Sequence, residues 1–110
     1  MESFSIGPWV DEALALARQE QSGRSAVTIH GGQDRALRET VIALLAGHEL
    51  AEHDSPGEAT LQVLRGTVRL TSGDQRWDGT EGDHVIIPRA RHALLALEDA
   101  AVLLTVVKVP

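Results

Sequence analysis

The side chains in this chain that could do chemistry are first of all its five histidines, His30, His48, His53, His84 and His92. There is no cysteine, so thiolate zinc sites, cysteine nucleophiles and disulfide scaffolds are excluded. Imidazole must then carry any metal or acid–base role. His53 stands two residues before Ser55, a pairing that could suggest a base beside a hydroxyl nucleophile. No carboxylate at a recognisable position would orient the ring, and nothing supplies an oxyanion hole, so a Ser hydrolase is set aside. His30, His48 and His84 read as surface or strand-end residues. Arg65, Arg69, Arg89 and Arg91 could gather into an anion site, but arginine on a strand more often faces solvent. Asp11, Glu12 and Arg18 form a solvated helix face.

The chain that must position these residues has 110 of them, 43% hydrophobic and 24% charged. That is one domain's worth, with enough apolar material for a core. The formal net charge of −6 argues against nucleic acid as a partner, because neutralising phosphates needs clustered Lys and Arg. The aromatics are Phe4, Trp9 and Trp77, too few for a base-stacking platform, so the core is aliphatic. No apolar run approaches the roughly 18 residues of a membrane span, so no membrane partner is expected. The opening stretch lacks a basic region followed by a long apolar run, and a cytoplasmic location is the expectation.

The elements can be read along the chain. Gly7-Pro8 opens an amphipathic helix over about residues 8–21. Trp9, Ala13 and Leu16 fall on one face, with Val10, Leu14 and Ala17 close beside them. Asp11 and Glu12 sit where the helix dipole favours negative charge, and Ser22-Gly23 is the natural stop. Residues 26–30 read as a short strand ending at Gly31-Gly32. Residues 35–46 contain strong helix formers, yet Thr40-Val41-Ile42 are β-branched and the surroundings are dense in β signals, so a strand is expected. Further strands follow at Ala59–Leu64, Thr67–Thr71, Gln75–Asp78, Val85–Ile87, Ala93–Leu97 and Ala101–Val107. Ser72-Gly73-Asp74 makes a hairpin turn, and the last two strands are expected to pair across Glu98-Asp99. Many short strands at regular spacing give an all-β sandwich or barrel.

Turn spacing narrows this further. Gly47 is followed by five residues and His53, then Ser55, then Ala59, then six further residues and Gly66. Gly82-Asp83 leads to Pro88 after five residues, and His92 follows. This spacing, with LQVLRGTVRL and GDHVIIPRARH around it, resembles the two conserved motifs of small single-domain cupins (the cupin 2 type conserved barrel proteins) over roughly residues 35–107. The resemblance implies a cupin-type jelly-roll β-barrel at 35–110. The N-terminal helix and first strand, 1–34, would pack on it within one domain.

The resemblance also implies a damaged metal site. Metal-binding cupins use His, His and Glu from the first motif and His from the second. Here His53 and His92 stand at two of those positions, while Ser55 replaces the second His and Ala59 the Glu. Stable first-row metal sites want at least three protein donors, so no cofactor is firmly implied. A divalent metal (Zn, Ni, Fe or Mn) would be held loosely by His53 and His92 and completed by water or ligand. Asp54, Glu58 and His48 have the wrong strand parity to repair the site, although a bulge near Pro56-Gly57 would turn Glu58 inward.

The pocket is expected to be lined by Ala51, His53, Ser55, Ala59, Leu61, Val63 and His92, with the two imidazoles converging and serving as each other's partner. The expected function is binding of a small organic ligand by His53, Ser55, Ala59, Val63 and His92, in a sensor or accessory role. The alternative is a metal-dependent cupin enzyme of dioxygenase or isomerase type. Residues 35–46 and 101–107 are apolar on both parities, and this, with the resemblance, implies a homodimer.

Overall fold

The computed structural model describes residues 1–53 and 57–108. The helix α1 (Ile6–Gln19) starts from an extended Ser5 and holds Pro8 in its first turn, where a missing N–H costs nothing. Its start precedes Gly7-Pro8, so Asp11 and Glu12 lie in the second turn, beyond the N-terminal end. The buried stripe is Val10, Ala13, Leu14 and Ala17, a spacing that returns every turn to one side. Leu16, expected on the packed face, is exposed, and Trp9 is half-buried edge-on to Phe4.

Among the described residues nine strands follow: β1 (Arg24–His30), β2 (Leu37–Leu44), β3 (Glu49–His53), β4 (Glu58–Arg65), β5 (Thr67–Ser72), β6 (Gln75–Thr80), β7 (His84–Ile86), β8 (His92–Ala96) and β9 (Ala100–Val107). They form two separately bonded sheets, ordered β1-β2-β9-β4-β7 and β3-β8-β5-β6. Every pairing in them is antiparallel. The jelly roll is thus a two-sheet sandwich. β1 is an integral edge strand of the five-stranded sheet, not an appendage packed on it.

The segment with helix-forming residues is strand, as expected. β2 is bonded on both sides, to β1 and to β9, and this two-sided pairing overrides local helix propensity. Its alternate residues serve two cores. Val41 and Ala43 face outward with Ala101 against α1, while Ile42 and Leu44 face inward with Ala59, Leu61, Val63, Val102 and the second sheet. The double-sided apolar pattern that suggested a dimer surface is therefore covered in part on its outer side by the chain's own helix, while Leu37 and Val107 stay exposed.

One expected hairpin does not form. β8 and β9 are neighbours in sequence, yet β8 bonds to β3 and β5, and β9 to β2 and β4. At the corner the N–H groups of Leu97 and Glu98 donate to the Thr67 carbonyl at 2.9 and 3.3 Å. The Asp99 carboxylate accepts from the Ala46 N–H at 2.9 Å. These bonds hold a crossing between sheets. Gly66 passes directly beneath it at φ +77, and a β-carbon there would strike the Asp99 carbonyl oxygen.

Candidate functional site

His53 ends β3 and His92 begins β8, and the two are register partners across the ladder. Their ring centroids lie 4.4 Å apart at an interplanar angle of 65°. His92 is buried and His53 exposed. Nδ1 of His53 lies 2.9 Å from the Ala51 carbonyl oxygen, and Nδ1 of His92 lies 2.9 Å from that of Ala90. A carbonyl oxygen only accepts, so each ring donates its Nδ1–H, which in the neutral imidazole leaves Nε2 as the acceptor. The rings converge as expected, but they do not satisfy one another, because each is held by its own backbone.

Behind the two rings is a cavity of about 110 Å³ lined by Ile42, Leu50, His53, Ala59, Leu61, Leu70, Ile87, His92, Leu94 and Leu104. Eight of these ten side chains are hydrocarbon. Inward-facing Ile42, Ala59, Leu61 and Leu104 come from the five-stranded sheet, and Leu70 and Leu94 from the other. Pro88 follows at the point where Ile87 donates to the Ala59 carbonyl at 3.0 Å, so the missing proline N–H breaks no ladder bond. Two wider surface grooves, of about 410 and 390 Å³, lie at the edges of the sandwich. Neither contains a histidine.

Of the residues expected around the pocket, His53, Ala59, Leu61 and His92 line it. Ala51 does not: it is exposed, and Leu50 takes its place. The cause is a register shift between Leu50 and His53, which pair with Leu94 and His92. Three steps on β3 oppose two on β8, so the extra residue brings Leu50 and His53 onto one face despite their odd spacing. Val63 shares the inward face but lies fully buried in the packed part of the core, away from the cavity. Ser55 lies outside the described residues. Sequence alternation missed Leu50, Ile42, Leu70, Ile87, Leu94 and Leu104 because they come from strands that only the sandwich brings together.

The remaining histidines stay apart from the cavity. His30 ends β1, His84 begins β7 and is exposed, and the His48 ring packs on Gly23. The four arginines do not form an anion site. Arg65 pairs with Asp11, Arg69 with Asp78, Arg89 with Glu58 and Arg91 with Glu52. Glu58 is exposed. Among the described residues no group of three or more His, Cys, Asp or Glu could hold a metal ion. Two imidazoles beside an alanine wall do not fit a tightly held first-row metal.

This architecture is shared by solved structures. An RmlC-like cupin protein from Desulfovibrio desulfuricans is 23% identical over 97% of this chain and 96% of that one, with a TM-score of 0.75. A variant of salicylate 1,2-dioxygenase from Pseudoaminobacter salicylatoxidans is 19% identical, with a TM-score of 0.77, over 91% of this chain but 33% of the enzyme. The chain thus has the cupin fold. A conserved protein of unknown function from Streptococcus pyogenes is 35% identical over 83% of this chain and 79% of that one, with a TM-score of 0.72. This chain belongs to the same family as that streptococcal protein. No family model and no curated protein matches the sequence.

Proposed function

We propose that this chain is a small-ligand-binding cupin, whose cavity holds a compact organic molecule against His53 and His92, in a sensor or accessory role. The observation that carries this reading is an apolar cavity of about 110 Å³ whose two polar side chains converge on it with their rings 4.4 Å apart. Apolar walls with a few fixed polar groups are the usual make-up of a small-molecule site. The bound molecule would be oriented by the imidazoles and recognised by shape against Ala59, Leu61 and Leu94.

The rival reading is a metal-dependent enzyme of dioxygenase or isomerase type. Two imidazole acceptors favour it, and Ala59 at the position of a carboxylate ligand opposes it. Zinc titration of the protein and of Ala59→Glu separates the two. The parent should bind Zn²⁺ weakly and lose it on brief chelation without unfolding. Ala59→Glu adds a third donor to the cavity wall and should bind it at least about tenfold more tightly. A parent that retains one equivalent of metal through chelation would favour the enzyme.

A further inference from the structure

The polar character of the cavity is set by two carbonyl groups. Ala51 and Ala90 each accept the Nδ1–H of the histidine two residues on, at 2.9 Å. In its neutral form, an imidazole held this way presents Nε2 as a bare lone pair. Neither Nε2 bonds to a described residue. The other lining side chains are hydrocarbon. Among the described residues, the lining side chains therefore offer a ligand two acceptors and no donor. The cations nearest in sequence are Arg89 and Arg91, and each lies beside a carboxylate, Glu58 at 3.8 Å and Glu52 at 3.3 Å. Their charge is offset where it would otherwise draw an anion inward.

We infer that the site selects compact, uncharged molecules carrying an N–H or O–H donor on an apolar body, and discriminates against isosteres without the donor and against carboxylates. This rests on the reading of the cavity as a ligand site and adds the class of ligand. A donor meets an Nε2 lone pair. An ether oxygen or a carboxylate sets lone pair against lone pair and leaves the histidines unsatisfied. The volume sets the size: the cavity, at about 110 Å³, is smaller than the roughly 150 Å³ that takes up benzene. Molecules of about five heavy atoms, fewer than benzene's six, fit that comparison.

Side-chain ¹⁵N NMR of the full chain at pH 8, titrated with pyrrole, furan and cyclopropanecarboxylate, tests this. Pyrrole and furan have nearly the same shape, and only pyrrole has a donor; as a neutral ring it is also a poor metal ligand. The free protein should show His53 and His92 protonated on Nδ1. Pyrrole should shift both Nε2 resonances saturably and bind about tenfold more tightly than furan, with cyclopropanecarboxylate weaker still. Ala59→Leu, which fills the cavity, should abolish the pyrrole response. Rings protonated on Nε2 would overturn the inference, as would furan or cyclopropanecarboxylate binding as tightly as pyrrole. Either result would leave the ligand-site reading standing. If no probe shifts any cavity resonance, the ligand-site reading itself fails and takes this inference with it.

Discussion

On the outer face of the five-stranded sheet, Val41, Ala43 and Ala101 meet Ala13 and Ala17 of α1, all five at 0% exposure. On the inner face, the same sheet presents Ile42, Leu61 and Leu104 to the second sheet, and beside them a hollow remains. The difference is one of side-chain size and spacing. Alanines let a helix backbone approach the sheet until no gap is left. Facing sheets stand about 10 Å apart, and where Ala59 carries only a methyl group nothing reaches across. The smaller residues make the tighter core, and the cavity lies among the larger ones. A small residue therefore means close approach where the partner can move in, and a cavity where the partner is fixed.

The same substitution on each face should break this contrast open. Ala101→Leu forces extra carbons into the filled helix interface and should destabilise the fold by about 1–3 kcal/mol, read as a lower urea midpoint at unchanged slope. Ala59→Leu adds the same carbons to the hollow. Its stability should change by less than about 1 kcal/mol or rise slightly, with ligand binding lost. Equal destabilisation by the two variants would mean that the inner face is as closely packed as the outer one.

The smallest effect lies away from both cores, where Arg69 and Asp78 pair across β5 and β6. Arg69 donates from Nε and Nη2 to the two Asp78 carboxylate oxygens at 2.8 and 3.1 Å. These hydrogen bonds hold the Asp78 carboxyl below the usual carboxylate range against the opposing effect of desolvation, and they raise Arg69. A carboxyl depressed on folding stabilises above its unfolded value, and that contribution disappears as pH falls through the lowered folded value. Asp78→Asn should therefore be slightly less stable than the parent at pH 7, with the gap closing in strong acid. The pair is partly exposed to solvent, so the gap should also shrink with added salt.

Much of the site was legible in the sequence. His53 and His92 stand out through the resemblance to the cupin motifs, at that spacing from Gly47 and Pro88, and their rings lie 4.4 Å apart. Thr40-Val41-Ile42 revealed a strand among helix formers. The exchange of Leu50 for Ala51 on the cavity wall was not legible, because a bulge leaves no trace in alternation. The separation of β8 from β9 was hidden for a different reason. A short polar corner such as Glu98-Asp99 can serve a hairpin or a crossing, and bonds from distant Thr67 and Ala46 decide between them. The outer apolar residues of β2 and β9 suggest a surface for a second copy, and strand parity alone does not show that α1 packs on part of that face.

The central claim is that the hollow behind His53 and His92 is a site for small molecules. Crystals of the protein soaked with a library of small uncharged organic fragments test it most directly. Fragments should accumulate in the hollow against Leu61 and Leu94, each with a polar atom within hydrogen-bonding distance of Nε2 of His53 or His92. Fragments confined to the two edge grooves, with the hollow closed by the protein's own side chains, would contradict it.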